Sequence, residues 1–320
     1  MGASSSQPVI RGALSSQPVI RGASSSQQVI RGASWLRQVL FLMDLEPLPD
    51  DLLRVILSFL PPRDLIMRCR LVSRRWKGLV DSPTLWRIKC ERERKAEILQ
   101  AAHVYPRINW QRFCLKEPLS RNLIRNPCGE DGLTHWDFVN GGDGWVVEDN
   151  HGILQGAGSQ TCFVTSFFWC QKTQIIDLLK EGLDEGFLDL HQPEICISDW
   201  YAGRQDCGCI YEIQVQLLAR DRVTVITEFT QRPEPIPQWN DSTYKQVCHV
   251  FRTYGRGVHF VRFTHRGKDT QFWKGNYGAR ITNSSVTIKC NRTHAFRSES
   301  QTMIRSSFDR RHRLHFHSSD

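Results

Sequence analysis

The 320-residue sequence predicts an α+β protein: a small all-helical domain, a helical linker, then a larger antiparallel β-sandwich. Three observations carry this. Residues 45–86 place apolar side chains at helical spacing and are divided by prolines. From Asn122 the texture changes to short strand-like segments between turn clusters such as Gly141-Gly142-Asp143-Gly144 and Asn240-Asp241. The first end, 1–43, is dominated by a Ser-, Gln- and Gly-rich stretch and the last, 291–320, is polar, basic and aperiodic, which predicts disordered arms.

The first helix follows Leu48-Pro49, with Asp50 and Asp51 in the turn where negative charge suits the helix dipole. Leu52, Leu53, Val55, Ile56, Phe59 and Leu60 give it a wide apolar face, and Pro61-Pro62 stop it. Asp64 is expected to cap a second helix through Leu65, Ile66 and Met67. A third carries Leu71, Val72, Trp76, Leu79 and Val80, and Ser82-Pro83 starts a fourth. From Pro83 to His103 the pattern predicts one long helix with a Glu91–Lys95 pair, so that residues 91–110 form a stiff linker. A unit of about 40 residues is marginal alone, which leaves some of its apolar surface for a partner.

The sandwich is expected over 111–290. Ile213, Val215 and Leu217 alternate with Glu212, Gln214 and Gln216, the pattern of a half-buried antiparallel strand. Phe163–Trp169, Glu194–Trp200, Val258–His265 and Arg280–Lys289 also read as strands, and Gln174–Leu190 as a helical insertion. Many short strands with turn signals between them suggest a sandwich or jelly roll.

Net charge is +9, but residues 1–35 and 291–320 each contribute three more basic than acidic residues, so the body is only weakly basic. That argues against a nucleic-acid face, and Arg68, Arg70, Arg74, Arg75 and Lys77 read as a solvated helix surface. No apolar run is long enough to span a membrane. Residues 1–30 lack the apolar core of a secretory signal, and the eleven cysteines contain no CxxC pair. The expectation is a cytoplasmic chain with reduced, mostly buried thiols, in which the sequons at Asn240, Asn283 and Asn291 stay unmodified. No P-loop, GxSxG, HExxH or zinc-ligand spacing occurs, so no enzyme, cofactor or metal site is expected. His312, His315 and His317 form a cluster that could bind metal but reads more simply as fortuitous. Residues 2–31 are a threefold decapeptide repeat, and Met1-Gly2 through Ser6 fits the N-myristoylation pattern at Gly2. A single acyl chain gives weak membrane association at most.

Two loop segments carry the candidate binding chemistry. Trp273 lies near the tip of Gln271–Gly278, where an exposed indole offers a flat face to a sugar ring and Lys274 can donate to its oxygens. Arg204, Gln205 and Asp206 occupy a second turn-rich stretch. The alternative is that Phe272 and Trp273 are core residues at a strand end.

Leu48-Pro49, Ile56-Leu57, Leu65, Val72-Ser73-Arg74-Arg75-Trp76 and Leu85-Trp86 resemble, in order and spacing, the F-box, here expected over 44–90. The resemblance implies docking to the Skp adaptor (S-phase kinase-associated protein 1) through Leu48, Pro49, Ile56, Leu57 and Trp76, and through it to a cullin and a RING subunit. Residues 121–136, 141–149, 160–170, 197–209 and 269–286 resemble the F-box-associated domain of the glycoprotein-recognising F-box proteins. That family implies a ten-stranded, galactose-binding-like sandwich whose end loops hold the inner chitobiose of high-mannose N-glycans. Carried over by position, Phe163, Arg204, Gln205, Asp206, Phe272, Trp273 and Lys274 would face the sugar. Two departures stand out: glycan-binding relatives have Tyr where this chain has Phe272, and Gln205 is a replacement within its loop. The implied function is the substrate-recognition subunit of an SCF-type ubiquitin ligase that directs glycoproteins to ubiquitination and degradation. The alternative is a non-lectin scaffold that binds the adaptor, protein surfaces and membrane.

Overall fold

A computed structural model describes residues 45 and 47–290, apart from 94, 97, 100, 101, 103, 104, 106 and 120. The repeat arm with Gly2, and the tail with Asn291 and its histidines, lie outside the described residues. The chain divides into two units, one ending at Leu53 and the other beginning at Arg54. In the first, Leu48 N–H donates to the Leu45 carbonyl (3.2 Å) and Leu53 N–H to that of Pro49 (3.1 Å), which opens helix α1 (Asp50–Ser58).

The second unit begins within α1 and continues through α2 (Pro62–Met67), a 3-10 turn (Cys69–Leu71), α3 (Arg74–Asp81) and α4 (Pro83–Arg92). Local chemistry sets the boundaries. The Ser73 hydroxyl accepts from Trp76 N–H at 3.2 Å and caps α3. Ser82 caps α4 in the same way through Thr84 N–H, with Pro83 in the first turn. Asp64 departs from expectation: the residue before α2 is Pro61, and Asp64 sits inside the first turn, paired with Arg68 at 3.3 Å.

The carbonyls at the end of α1 are closed by side chains from α4. The buried Lys89 ammonium donates to Ser58 O (3.1 Å) and Leu60 O (2.7 Å), and Arg92 also donates to Ser58 O (2.8 Å). Glu93, 2.6 Å away, balances the Lys89 charge. Burial lowers the Lys89 pKa, with Glu93 opposing the shift. Lys89→Met leaves those carbonyls and Glu93 short of a donor, and is expected to cost about 2 kcal/mol in denaturant unfolding.

The single long helix from Pro83 does not form. Helix α4 ends at Arg92, Lys95 N–H turns back to the Cys90 carbonyl, and helical residues resume at Ala96. The expected Glu91–Lys95 pair is replaced by Arg87–Glu91 at 2.8 Å and by Lys95 with Glu93 and Glu117. Helix α5 (Trp110–Lys116) then leads into the sandwich. The expectation of reduced thiols is corrected at one pair, because Cys90 of α4 and Cys114 of α5 are joined as a disulfide. Cys69, Cys128, Cys162, Cys170, Cys207 and Cys209 are buried thiols, and burial pushes Cys209 up to about 12, so it stays protonated.

The sandwich comprises two antiparallel five-stranded sheets, β1-β4-β9-β6-β7 and β2-β3-β10-β5-β8. Their strands are β1 (Asp137–Val139), β2 (Val146–Asp149), β3 (Thr161–Val164), β4 (Cys170–Asp177), β5 (Glu194–Ala202), β6 (Cys209–Leu218), β7 (Val225–Gln231), β8 (Lys245–Phe251), β9 (Phe260–Asp269) and β10 (Arg280–Lys289). Ile213, Val215, Val261 and Phe263 of one sheet, and Ile197, Ile281, Val286 and Ile288 of the other, are buried.

The helical insertion at Gln174–Leu190 is corrected. Gln174–Asp177 completes β4, and only Glu185–His191 is helical (α6), capped by Asp184 accepting from Gly186 N–H. The strand expected over Phe163–Trp169 ends at Val164.

Candidate functional site

Strand register gathers the loops. Cys209 faces Asp269, Arg280 faces both Val164 and Ala202, Cys170 faces Gly267, and Lys245 faces Tyr201. The β3–β4, β5–β6, β7–β8 and β9–β10 connections therefore emerge at one end of the sandwich.

The β9–β10 loop hangs from Asp269. Its buried carboxylate accepts Phe272 N–H (2.8 Å) and Trp273 N–H (3.1 Å), which holds Phe272 at φ +57°, a left-handed conformation that a bulky residue adopts only under constraint. The far arm is tied by Ser166 Oγ donating to Gly275 O (2.7 Å) and Asn276 Nδ2 to Gly144 O (2.7 Å). Gly278 N–H donates to Thr165 O at 2.9 Å. A Cβ on Gly278 would lie 2.9 Å from the Thr165 and Ser166 carbonyl oxygens. Gly278→Ala is thus expected to cost about 1–3 kcal/mol in thermal unfolding and to disorder the loop above it.

The ties leave Phe272 60% and Trp273 39% exposed, so the alternative that both are core residues fails. Trp273 meets Tyr277 edge-on, with centroids 5.8 Å apart, and the Arg204 guanidinium lies over Tyr277 at 4.7 Å. Arg204 Nε also donates to Asp206 Oδ1 at 2.7 Å. One chain of contacts thus joins Trp273, Arg204 and Asp206 across the two predicted loops.

The β7–β8 connection buttresses the Arg204 loop. Asn240 Nδ2 donates to Arg204 O (2.7 Å), Asn240 N–H to Gln205 O (3.2 Å), and Gln238 Nε2 to Asp206 O (3.0 Å). The Asn240 amide is therefore committed to holding this loop. The Gln205 and Lys274 side chains are exposed at the same end.

Phe163 is corrected. It is fully buried in β3, packed against Trp136 and Trp145, and cannot touch a ligand while the sandwich is closed. The β3–β4 loop instead supplies Phe168, which is exposed and meets Phe272 at 6.2 Å. Tyr277, Phe168, the exposed Trp239 and the anchor Asp269 were not among the predicted residues. Their only signal in the sequence is an aromatic or acidic residue at a turn-rich strand end.

In the helical domain, Leu48 is half-buried, Pro49 exposed and Ile56 half-buried. Leu57 and Trp76 are corrected as contact residues: Leu57 is wholly buried and Trp76 is 7% exposed, so both belong to the domain's own core. Val55, Phe59, Met67, Leu71 and Val72 carry the exposed apolar surface instead.

A helical motif of this kind followed by a sandwich with aromatic end loops defines a substrate receptor of the F-box class. The F-box domain pattern matches residues 45–88, and the pattern described as "F-box associated region" matches residues 114–288. The chain belongs to the family of F-box proteins that carry an F-box-associated region. It is 48% identical to F-box only protein 27 of Mus musculus, over 77% of this chain and 91% of that protein. It is 50% identical to F-box only protein 27 of Homo sapiens, over 77% of this chain and 90% of that one. F-box only protein 17 of Homo sapiens is 42% identical over 77% and 92%.

Proposed function

We propose that this chain is the substrate-recognition subunit of an SCF-type ubiquitin ligase and reads the inner N-acetylglucosamine pair of high-mannose N-glycans on its clients. The observation that carries the reading is the half-exposed Trp273 face beside the Arg204–Asp206 pair, joined through Tyr277. An aromatic face stacks on sugar C–H groups, and the carboxylate, guanidinium and Lys274 ammonium supply acceptor and donors for hydroxyl and acetamide groups. On the helical domain, exposed Val55, Phe59, Met67, Leu71 and Val72 favour docking to the Skp adaptor, and ubiquitin transfer belongs to the assembled ligase.

The test is a glycan array probed with the full chain bound to the adaptor. Retention on chitobiose-core oligosaccharides is expected; a folded complex that ignores them ends the sugar reading.

A second reading is a scaffold that reads protein surfaces from the cytoplasm or a membrane. It is favoured by Phe272, which is exposed yet offers no hydroxyl to a ligand. Acylation of Gly2 would supply weak tethering. Membrane fractionation of the native chain against Gly2→Ala tests it, with a shift to the soluble fraction expected.

A further inference from the structure

Beside the sugar loops, on the outer face of the β1-β4-β9-β6-β7 sheet, cations gather on one indole. Arg266, Lys268 and Arg232 lie 4.6, 5.4 and 5.6 Å from the Trp169 ring centroid. Lys268 is also 5.4 Å from the Phe272 ring, and Phe168 completes an apolar rim against Phe272. The patch is therefore continuous with the candidate site. Arg266 is paired with Glu212 at 2.9 Å. Among the described residues, no carboxylate pairs with Lys268 or Arg232. With Arg266 balanced by Glu212, Lys268 and Arg232 remain as two like charges drawn to one ring, so an anion placed there relieves their repulsion as well as gaining attraction.

We propose that this surface is a second contact for the client: it binds acidic polypeptide flanking the glycosylated asparagine. The inference rests on the sugar reading above for its anchor. The inner sugar pair is joined directly to asparagine, so a receptor that grips that pair holds the flanking polypeptide close to its own loops. A compact patch whose partners would be carboxylates, adjoining the gripping residues, is placed to select among clients that carry the same glycan. A membrane surface would need cations spread along a plane, whereas these converge on one side chain.

The experiment uses the full chain bound to the Skp adaptor and peptides bearing one Asn-linked high-mannose glycan, with flanks of Asp/Glu, Asn/Gln or Lys/Arg. In fluorescence anisotropy at low salt, acidic flanks are expected to bind about five-fold tighter than neutral ones and basic flanks more weakly, with the difference shrinking at high salt. Lys268→Gln with Arg232→Gln should erase the flank preference and leave the neutral glycopeptide unchanged. Equal affinity for all flanks, or a preference that survives both substitutions, overturns the proposal.

The same acidic peptide without sugar, at high concentration, scores the surface separately. Weak binding lost in the double variant supports it, and no binding overturns it. Failure of the neutral glycopeptide alone would count against the sugar reading. Capture of phosphatidylserine vesicles through Lys268 and Arg232, without any peptide preference, would overturn the proposal in favour of a membrane.

Discussion

Asp199→Asn is expected to destabilise the sandwich by about 3–5 kcal/mol, read as a lower denaturation midpoint at neutral pH. Asp199 is fully buried in β5. Its carboxylate accepts Tyr211 Oη (2.6 Å) and Ser284 Oγ (2.8 Å), and His265 Nδ1 lies 2.5 Å away. Lys172, also fully buried, sits 3.3 Å from the Trp136 ring centroid and 3.7 Å from that of Phe163. Its amine has no hydrogen-bond partner; burial pushes its pKa well below the usual lysine range, and Asp199 is the carboxylate that opposes that shift. Neutralising Asp199 therefore leaves both a broken network and an unbalanced buried amine. The double variant Lys172→Met/Asp199→Asn should recover part of the loss. Additive or larger damage would refute this account of the pair.

The same cluster sets a pH dependence. Burial, with the Lys172 charge added, pushes His265 down to about 4 against the pull of Asp199. The unfolded chain takes up that proton near 6.5, so it binds more protons than the native state between the two values. Stability is retained above about 6.5 and falls as pH drops toward 4, by about 3 kcal/mol in total. A flat profile over that window would show that His265 titrates normally.

Trp273→Ala is expected to weaken capture of chitobiose-core glycopeptides by about 30-fold or more, the effect of losing a central aromatic anchor. Adaptor binding should be unchanged. Phe272→Tyr is expected to strengthen capture a few-fold, because it adds a hydroxyl at an exposed position already held by Asp269. If Trp273→Ala retains full capture, the indole is not the sugar platform.

Strands with clean alternation were legible in the sequence. Arg280–Lys289 has the predicted limits, and β6 extends the expected Ile213–Leu217 pattern at both ends. Strand β4 was misread because its inward face carries Lys172 and Gln174, so polar residues stand where the pattern needs apolar ones. Those side chains are tolerated by tertiary partners: Asp199 and two rings for Lys172, and the Arg125 and His135 carbonyls for Gln174. Phe163 was misplaced because an aromatic near a strand end looks the same whether it points inward or out. Tyr277 and Trp239 come to the site through pairings between distant strands, which no local pattern encodes.

The attachment of the sandwich lies at the end opposite its loops. Helix α5 and the residues after it are bound there: Arg112 donates to Leu179 O, Arg121 pairs with Glu181 beyond the end of β4, and Leu123 N–H bonds Val286 O late in β10. Between that end and the loop tips runs β10, ten residues or about 33 Å of extended chain. In the proposed ligase the strands therefore act as a ruler. They hold a gripped client at a fixed stand-off from the adaptor side, and so limit which of its lysines come within reach.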